Sequence, residues 1–555
     1  MSDPFDLSAL VAALFPGAVP TPEELARRYP SRSLPEGGMV TRIGPSPTGF
    51  MHIGTLYVGL LSHQFAEQSG GVSFLRIEDT DKKREVAGAI DFILRSFDHF
   101  GIEFDEGLNR DGVERGQYNP YTQSHRKPIY ECFVRHLVEQ GQAYPCFCSP
   151  EELDAIRREQ QARGIPPGYY GEWAIWRHRP LADALAALSE GKPYVIRFRS
   201  SGDVERRIVA HDLLFGDREV PENNQDIVIL KSDRLPTYHL AHVVDDHLMG
   251  TTHVIRGDEW LSSLPIHLQL FEALRWPAPV YAHVAPINKM DGGSRRKLSK
   301  RKDPEASVGY FIELGYPPEA VIDYLLNVAN SNFEEWRKDH PNADFRAFPL
   351  SFGRLRGSSG PLFDFPKLDS ISREKVALLS PAALYDHVLA WACEYDAELG
   401  ALLSSDPDYG RRIFAIERDG EKTRKDIAKW SDVGESMEFF FDERFVLDLD
   451  TAVGLLAPLD AEEVRAIVAA FEIFYDQDDG RDKWFEKIKA IARARGFADK
   501  AGDYKRNPEA YKGTVSDVAK VFRVLLTGRT QTPDLHAVMR AMGRERVLAR
   551  LAIAA

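Results

Sequence analysis

Two stretches of this chain carry residues whose types and spacing could handle a nucleotide. The first is Pro45-Ser46-Pro47-Thr48-Gly49-Phe50-Met51-His52-Ile53-Gly54-Thr55, a Pro/Gly loop running into an apolar helical stretch. A helix N-terminus there offers unpaired backbone N–H groups and the positive end of a dipole to a phosphate. His52 could donate a hydrogen bond to a phosphoryl group as charge develops. Gly54 lets a nucleotide base lie against the backbone. The second is Arg295-Arg296-Lys297-Leu298-Ser299-Lys300-Arg301-Lys302, in which six of eight residues are basic. It follows Gly292-Gly293-Ser294 and reads as a mobile loop whose lysines could close over a polyphosphate and stabilise a leaving pyrophosphate. Each stretch alone has a plainer reading. An isolated His-x-Gly triplet can be a loop whose histidine merely caps the helix, and a charge run can be a solvated loop.

The elements needed to position these residues can be read from periodicity. Residues 39–43 form a short apolar strand, 45–49 a loop, and 52–68 a helix. A second strand is expected over 72–77 and a helix of period 3.6 over 81–100. This β-loop-α-β-α order predicts a doubly wound parallel sheet, so the first loop sits at the carboxyl end of a strand, where open α/β sheets bind ligands. Residues 131–235 read as an insertion with a helix over 151–163 and strands over 194–199 and 226–231. The β/α alternation resumes over 237–244 and 252–256, followed by a helix over 262–275. Beyond Pro317 the chain turns mostly helical, with patterns over 461–475, 482–495 and 515–526. Residues 1–37 look like an appendage, with a short helix over 7–14 and several prolines.

Composition sets bounds. The 555 residues suggest three to four domains at roughly 150 residues each. Hydrophobic residues at 43 % and charged residues at 28 % argue against disorder of the whole chain. A formal net charge of −14 argues against a general nucleic-acid coat or a polybasic membrane binder, but leaves room for a local basic strip. Four cysteines support no disulfide framework, and no apolar run approaches a membrane span. A soluble cytoplasmic protein is expected.

The two motifs together are more specific than either alone. Pro-Ser-Pro-Thr-Gly-x-x-His-Ile-Gly-Thr on the first strand–helix turn, with Lys-Leu-Ser-Lys-Arg about 245 residues later, resembles the HIGH and KMSKS signatures of class I aminoacyl-tRNA synthetases. The chain resembles the bacterial-type glutamyl-tRNA synthetases, well over 38–370 and more weakly to the C-terminus. Four further strings agree in order: Phe74-Leu75-Arg76-Ile77-Glu78-Asp79-Thr80-Asp81, Pro236-Thr237-Tyr238-His239-Leu240-Ala241, Val243-Val244-Asp245-Asp246-His247 and His253-Val254-Ile255-Arg256-Gly257.

The resemblance implies an α/β fold: a Rossmann-like catalytic domain in two halves (38–130 and 236–305) around an α+β acceptor-stem insertion (131–235). A stem-contact domain (306–375) and an α-helical anticodon-binding domain (376–555) follow, behind the 1–37 extension. It implies ATP-dependent activation of L-glutamate to glutamyl-adenylate and transfer to the 2′-OH of the terminal adenosine of tRNA(Glu), with Mg2+ accompanying ATP and a monomer as the family default. Carried over by motif position, His52, Gly54, Lys297 and Lys300 are catalytic. Thr48, His52, Gly54, Thr55, Glu259, Trp260 and Lys300 bind ATP. Arg42, Ser46, Glu78, Tyr238 and Arg256 bind glutamate, for which a bidentate arginine suits the side-chain carboxylate and Glu78 suits the ammonium group. Arg157, Arg158, Arg163, Arg523, Arg529, Arg540 and Arg544 are candidates for tRNA backbone contacts.

The chain departs from the family pattern in four places. Thr55 stands where the first signature ends in histidine, and His242 where some relatives place asparagine. Cys146 and Cys148 resemble half of a zinc site, but Glu172-Trp173-Ala174 stand where a third cysteine is expected. His178 remains a possible ligand and Cys132 lies far from the pattern, so no full ligand set is assembled and no zinc is expected. The 37-residue leader is also longer than in many relatives. Alternatives are an enzyme that also charges tRNA(Gln), a catalytically silent tRNA-binding paralogue, and more remotely a nucleotidyltransferase of the same fold. The helical last third disfavours a glutaminyl-tRNA synthetase, which carries β-barrel anticodon domains. The length disfavours the short relative that modifies queuosine.

Overall fold

The computed structural model describes residues 7–299, 301–355, 360–418 and 423–554. The chain divides into two compact units, Met1–Phe311 with Ile322–Asp364, and Ile312–Val321 with Phe365–Ala555.

The first unit is built on parallel strands. Val40–Ile43 pairs with Val72–Leu75, placing Arg42 opposite Phe74, and Val72–Leu75 pairs with Glu106–Leu108. Glu114–Arg115 closes that edge in antiparallel fashion. His253–Gly257 pairs in parallel with Val280–Val284. The two groups meet at Val40, whose N–H donates to Thr252 Oγ1 at 2.8 Å while the Thr252 N–H returns a 3.0 Å bond to the Val40 carbonyl. Strands are thus added first to one side of Val40–Ile43 and later to the other. This reversal of winding is where α/β sheets open a ligand crevice beyond the strands' carboxyl ends.

Between the halves, Ala143–Cys146, Val195–Phe198 and Val228–Leu230 form an antiparallel sheet, and Arg207–Ala210 pairs with Arg218–Pro221. Helix Pro150–Ala162 starts where its sequence dictates. Ser149 caps the Glu152 N–H, Glu152 reaches back to the Ser149 N–H, and Pro150 occupies the first turn.

Four expectations are revised. Residues 81–88 are not helical; the helix is Ala89–His99. Asp81 holds Arg84 at 2.6 Å, Lys82 bridges Asp79 and Glu85, and Gly88 sits at φ 78°, which a right-handed helix cannot include. Residues 237–244 belong to a helix, Tyr238–Leu248, before the strand His253–Gly257. The basic stretch is not a loose loop throughout: Ser294–Lys297 is a strand of a hairpin with Asn288–Asp291. Nor does the leader hang free. Its helices Ser8–Leu14 and Pro22–Arg28 bury Leu10, Val11, Leu14 and Leu25 in the same core as Ile129, Phe133 and Leu137. Arg32 clamps Glu106 through both terminal nitrogens, at 2.9 and 2.7 Å.

The second unit's regular elements are helices among the described residues, including Pro381–Tyr395, Ala461–Phe474, Arg481–Ala494 and Val515–Thr527. They share one apolar core containing Leu384, Ile467, Ile488 and Phe522. Thr514 and Asp517 form a capping box at the start of Val515–Thr527, and Gly528 at φ 67° ends it. Among the described residues no helix is long and apolar enough to cross a membrane.

Candidate active site

A cavity of about 910 Å³ opens at the switch point. Arg42, Ser46, His52, Gly54, Thr55, Glu78, Tyr238, Arg256, Glu259, Trp260 and Lys297 line it. Thr48 is not among its lining residues, and Lys300 lies outside the described residues.

His52 joins the two signature stretches. It is the N-cap of helix Ile53–Gln68, and its Nδ1 accepts the Gly54 N–H at 2.9 Å. In the neutral ring Nε2 then carries the proton, which it donates to the Leu298 carbonyl at 3.3 Å. The capping role and the placement in the cavity therefore coexist. A Cβ on Gly54 would come within 3.0 Å of His52 Nδ1, so the glycine is what lets the ring fold back over the helix start.

Arg42 and Glu78 are tied into a buried charge network whose other members, Arg76, Arg126, Asp245 and Asp246, sequence reasoning left without a role. Helix Tyr238–Leu248 puts Tyr238, His242 and Asp246 one turn apart on one face, with Asp245 beside them. Asp246 accepts from Arg76 Nη1 at 2.7 Å and faces Arg42 Nε at 3.3 Å. Arg76 also donates to Glu78 Oε1 at 2.9 Å. Asp245 accepts from Arg126 Nε at 2.7 Å, Tyr130 at 2.8 Å and Gln123 at 2.9 Å. Burial pushes Asp246 up, but the guanidiniums of Arg42 and Arg76 outweigh it and hold the carboxyl well below its ordinary value. For Glu78 burial wins over Arg76 and Arg42, and its pKa is raised. The available signal was charge inside apolar runs, as in Phe74-Leu75-Arg76-Ile77 and Val243-Val244-Asp245-Asp246.

Arg256 is different. It is only 4 % exposed, yet among the described residues no carboxylate forms an ion pair with it. Its Nε donates to His283 Nε2 at 2.9 Å. Nη1 reaches His267 Nδ1 at 3.2 Å and the Tyr238 hydroxyl at 3.5 Å, Nη2 reaches the Trp260 carbonyl at 3.4 Å, and the plane lies over the Tyr281 ring. These partners are neutral. Burial, reinforced by Arg256 itself, pushes His239 down to about 4 and His267 well below its ordinary value. His242 falls to about 3, mainly through burial. Sequence reasoning missed His267 and His283, which had no motif to mark them.

The basic hairpin is partly neutralised. Arg296 is held by Asp291 at 2.6 Å and by both oxygens of Asp303. Lys297, half exposed, pairs with Glu259 at 3.0 Å across the cavity rim. Elsewhere, Cys146 and Cys148 each lie 3.4 Å from the Tyr169 hydroxyl. His178 sits on the surface against the Gly171 carbonyl, and burial pushes the Cys132 thiol up to about 12. Among the described residues no three His, Cys, Asp or Glu side chains are grouped to hold a metal.

Of the candidate tRNA arginines, Arg157 and Arg158 project from the exposed face of Pro150–Ala162, and Arg163 at its end pairs with Glu159. In the second unit Arg540 is exposed. Arg523 donates to Thr532 Oγ1, Arg529 pairs with Glu438, and Arg544 donates to the Tyr475 carbonyl.

Comparisons with known proteins agree with one another. The family model for tRNA synthetases class I (E and Q), catalytic domain, matches residues 38–335, and that for an anticodon binding domain matches 508–555. A glutamate–tRNA ligase of Clostridium perfringens (strain 13 / Type A) is 48 % identical over 542 residues, covering 98 % of this chain and 99 % of that protein. One from Sorangium cellulosum (strain So ce56) is 45 % identical over 557 residues, covering 96 % and 97 %. The crystal structure of a glutamate tRNA ligase from Elizabethkingia meningosepticum, in complex with its amino acid, superposes with a TM-score of 0.74 at 28 % identity, covering 93 % of this chain and 99 % of that one.

Proposed function

Since the chain belongs to the glutamate–tRNA ligase family of class I aminoacyl-tRNA synthetases, and so joins glutamate to tRNA, we propose that Arg256 receives the side-chain carboxylate of glutamate. The observation that carries this is the guanidinium buried beside neutral partners, with no carboxylate paired to it among the described residues. An unpaired buried charge costs several kcal/mol, and a substrate carboxylate is the counter-charge that relieves it, with Tyr238 alongside. Both contacts of Arg76 to Glu78 are made to Oε1, which leaves Oε2 to take the substrate ammonium. Arg42 and Ser46 face the α-carboxylate.

The class uses ATP. In the proposed first step an α-carboxylate oxygen attacks the α-phosphorus, the bond to the bridging oxygen breaks, and pyrophosphate leaves. His52 Nε2–H, released from the Leu298 carbonyl, and the positive end of the dipole of helix Ile53–Gln68, where Gly54 and Thr55 line the cavity, stabilise the developing phosphoryl charge. Lys297 exchanges Glu259 for the departing phosphates, and Lys300 shares that role by its place in the signature motif. Glu259 and Trp260 border the nucleoside, Thr48 supports the loop that holds it, and Mg2+ arrives coordinated by the phosphates. In the second step the 2′-OH of the terminal adenosine of tRNA(Glu) attacks the acyl carbonyl and AMP leaves. The insertion holds the acceptor stem and the helical unit reads the anticodon, in a monomeric enzyme. The arginines of helix Pro150–Ala162 and those at 523, 529, 540 and 544 contact the tRNA backbone.

The test is Arg256→Ala. It is expected to lower kcat/KM for glutamate by roughly two orders of magnitude, in line with about 1.5–3 kcal/mol for a charged hydrogen bond, while the KM for ATP and Tm change little. Normal glutamate kinetics would remove Arg256 from the pocket. Charging purified tRNA(Glu) and tRNA(Gln) side by side decides the acceptor.

A further inference from the structure

We infer that Asp212 orients Arg256 by fixing the tautomer of His283 between them, making Asp212 and His283 positioning residues for the amino-acid pocket. The inference rests on the reading of Arg256 as the carboxylate-binding group. Asp212 lies just beyond strand Arg207–Ala210, inside the segment between the two halves of the parallel sheet, and none of its chemistry was marked by a motif.

The chain of contacts is short and buried. Asp212, His283 and Arg256 are 6 %, 0 % and 4 % exposed. His283 Nδ1 lies 2.6 Å from Asp212 Oδ2, and the His283 backbone N–H donates to the same oxygen at 3.0 Å. The other oxygen, Oδ1, accepts the N–H groups of Leu214 and Phe215 at 2.9 and 2.8 Å. The loop is laid alongside strand Val280–Val284, with the Leu213 N–H bonded to the Tyr281 carbonyl at 2.9 Å. Asp212 is therefore anchored at both oxygens and along its backbone.

The protonation pattern follows from the donor and acceptor inventory. An ionised carboxylate only accepts, so Nδ1 must carry the ring proton. Nε2 is then a bare acceptor, which is what Arg256 Nε–H needs, because a guanidinium only donates. The resulting 2.9 Å bond is the shortest polar contact of Arg256; its others run from 3.2 to 3.5 Å. A guanidinium is a rigid plane, so holding Nε sets the direction of its terminal fork. A neutral acceptor also anchors the arginine without neutralising it, leaving its charge for a ligand. A carboxylate in the place of His283 would compete with that ligand.

Asp212→Asn tests the tautomer. The asparagine carbonyl can still accept from Leu214 and Phe215, but its amide would donate to Nδ1 and move the ring proton to Nε2. Arg256 Nε–H would then face another N–H. In aminoacylation with full-length enzyme, tRNA and ATP, the KM for glutamate should rise about tenfold or more with the KM for ATP close to wild type, and Tm should fall because the His283 backbone N–H also loses Oδ2 as its acceptor. His283→Phe should act likewise. His283→Gln, whose amide can accept from Arg256 and donate to Asp212, should stay within about threefold of wild type. Should Asp212→Asn fail to fold, the His283 pair decides. An unchanged glutamate KM in Asp212→Asn, or equal damage from His283→Gln and His283→Phe, overturns the inference. If Arg256→Ala itself leaves glutamate kinetics unchanged, the earlier reading fails. If only Arg256→Ala is damaging, the reading stands and the positioning role falls.

Discussion

At the scale of single residues, the site is organised by which charges are already answered. Arg42, Arg76 and Arg126 face Asp246, Glu78 and Asp245 beneath the cavity, whereas Arg256 meets histidine rings, a phenol and a carbonyl. Such a network is rigid because breaking one member leaves another buried and unpaired. Gly44 belongs to it through space. A Cβ there would meet Glu78 Oε1 at 2.3 Å, so any side chain must push the carboxylate off Arg76. Gly44→Ala is therefore expected to raise the KM for glutamate by about tenfold or more and to lower Tm, since a buried charge pair is disturbed. Steady-state kinetics and calorimetry on the purified variant check both; unaltered values would mean the backbone relaxes away from Glu78.

At the scale of elements, the start of helix Ile53–Gln68 joins a capping contact and the proposed phosphoryl contact in one side chain. His52 caps the Gly54 N–H through Nδ1 and meets the Leu298 carbonyl through Nε2. Two substitutions separate these roles. His52→Ala should lose the cap, costing about 0.5–2 kcal/mol, together with the phosphoryl donor. Asparagine is a strong N-cap residue, so His52→Asn should keep Tm near wild type while kcat still falls by about 10² or more. Equal Tm losses in both would show that the cap is not what Nδ1 provides. The same scale explains why periodicity misread 81–88. The apolar spacing continues into that stretch, but ion pairs at Asp81 and Lys82, a bond from the Val86 N–H to the Pro47 carbonyl, and the left-handed Gly88 keep it as turns beside the signature loop.

At the scale of the whole molecule, pH and salt report on groups spread over the chain. Burial lowers His239 and His247 to about 4 and His242 to about 3. Below the ordinary histidine value of about 6.5 the unfolded chain takes up protons that the folded one refuses, so stability falls as pH drops from there toward 4. The unfolding transition that shifts on adding ATP and glutamate should move down by about 5 °C or more between pH 7.5 and pH 5; a flat profile would show that these rings are not held neutral. On a chain of net charge −14, docking through the proposed arginines should make the KM for tRNA rise steeply with ionic strength, and a weak salt dependence would argue against backbone contacts by those side chains. What the sequence determined by itself was whatever depends on neighbours along the chain: the strand-loop-helix order at the first motif, the helical last third, and two motifs specific enough to identify a family. Only the tertiary structure decided which charges are answered. Arg42 meets Asp246 across 204 positions, Arg76 across 170, and Arg256 rests beside neutral groups, with no acidic side chain paired to it among the described residues. The physical reason is that helices and turns are set by short-range hydrogen bonding and side-chain periodicity, whereas a buried charge finds its partner through the order in which strands add to the sheet.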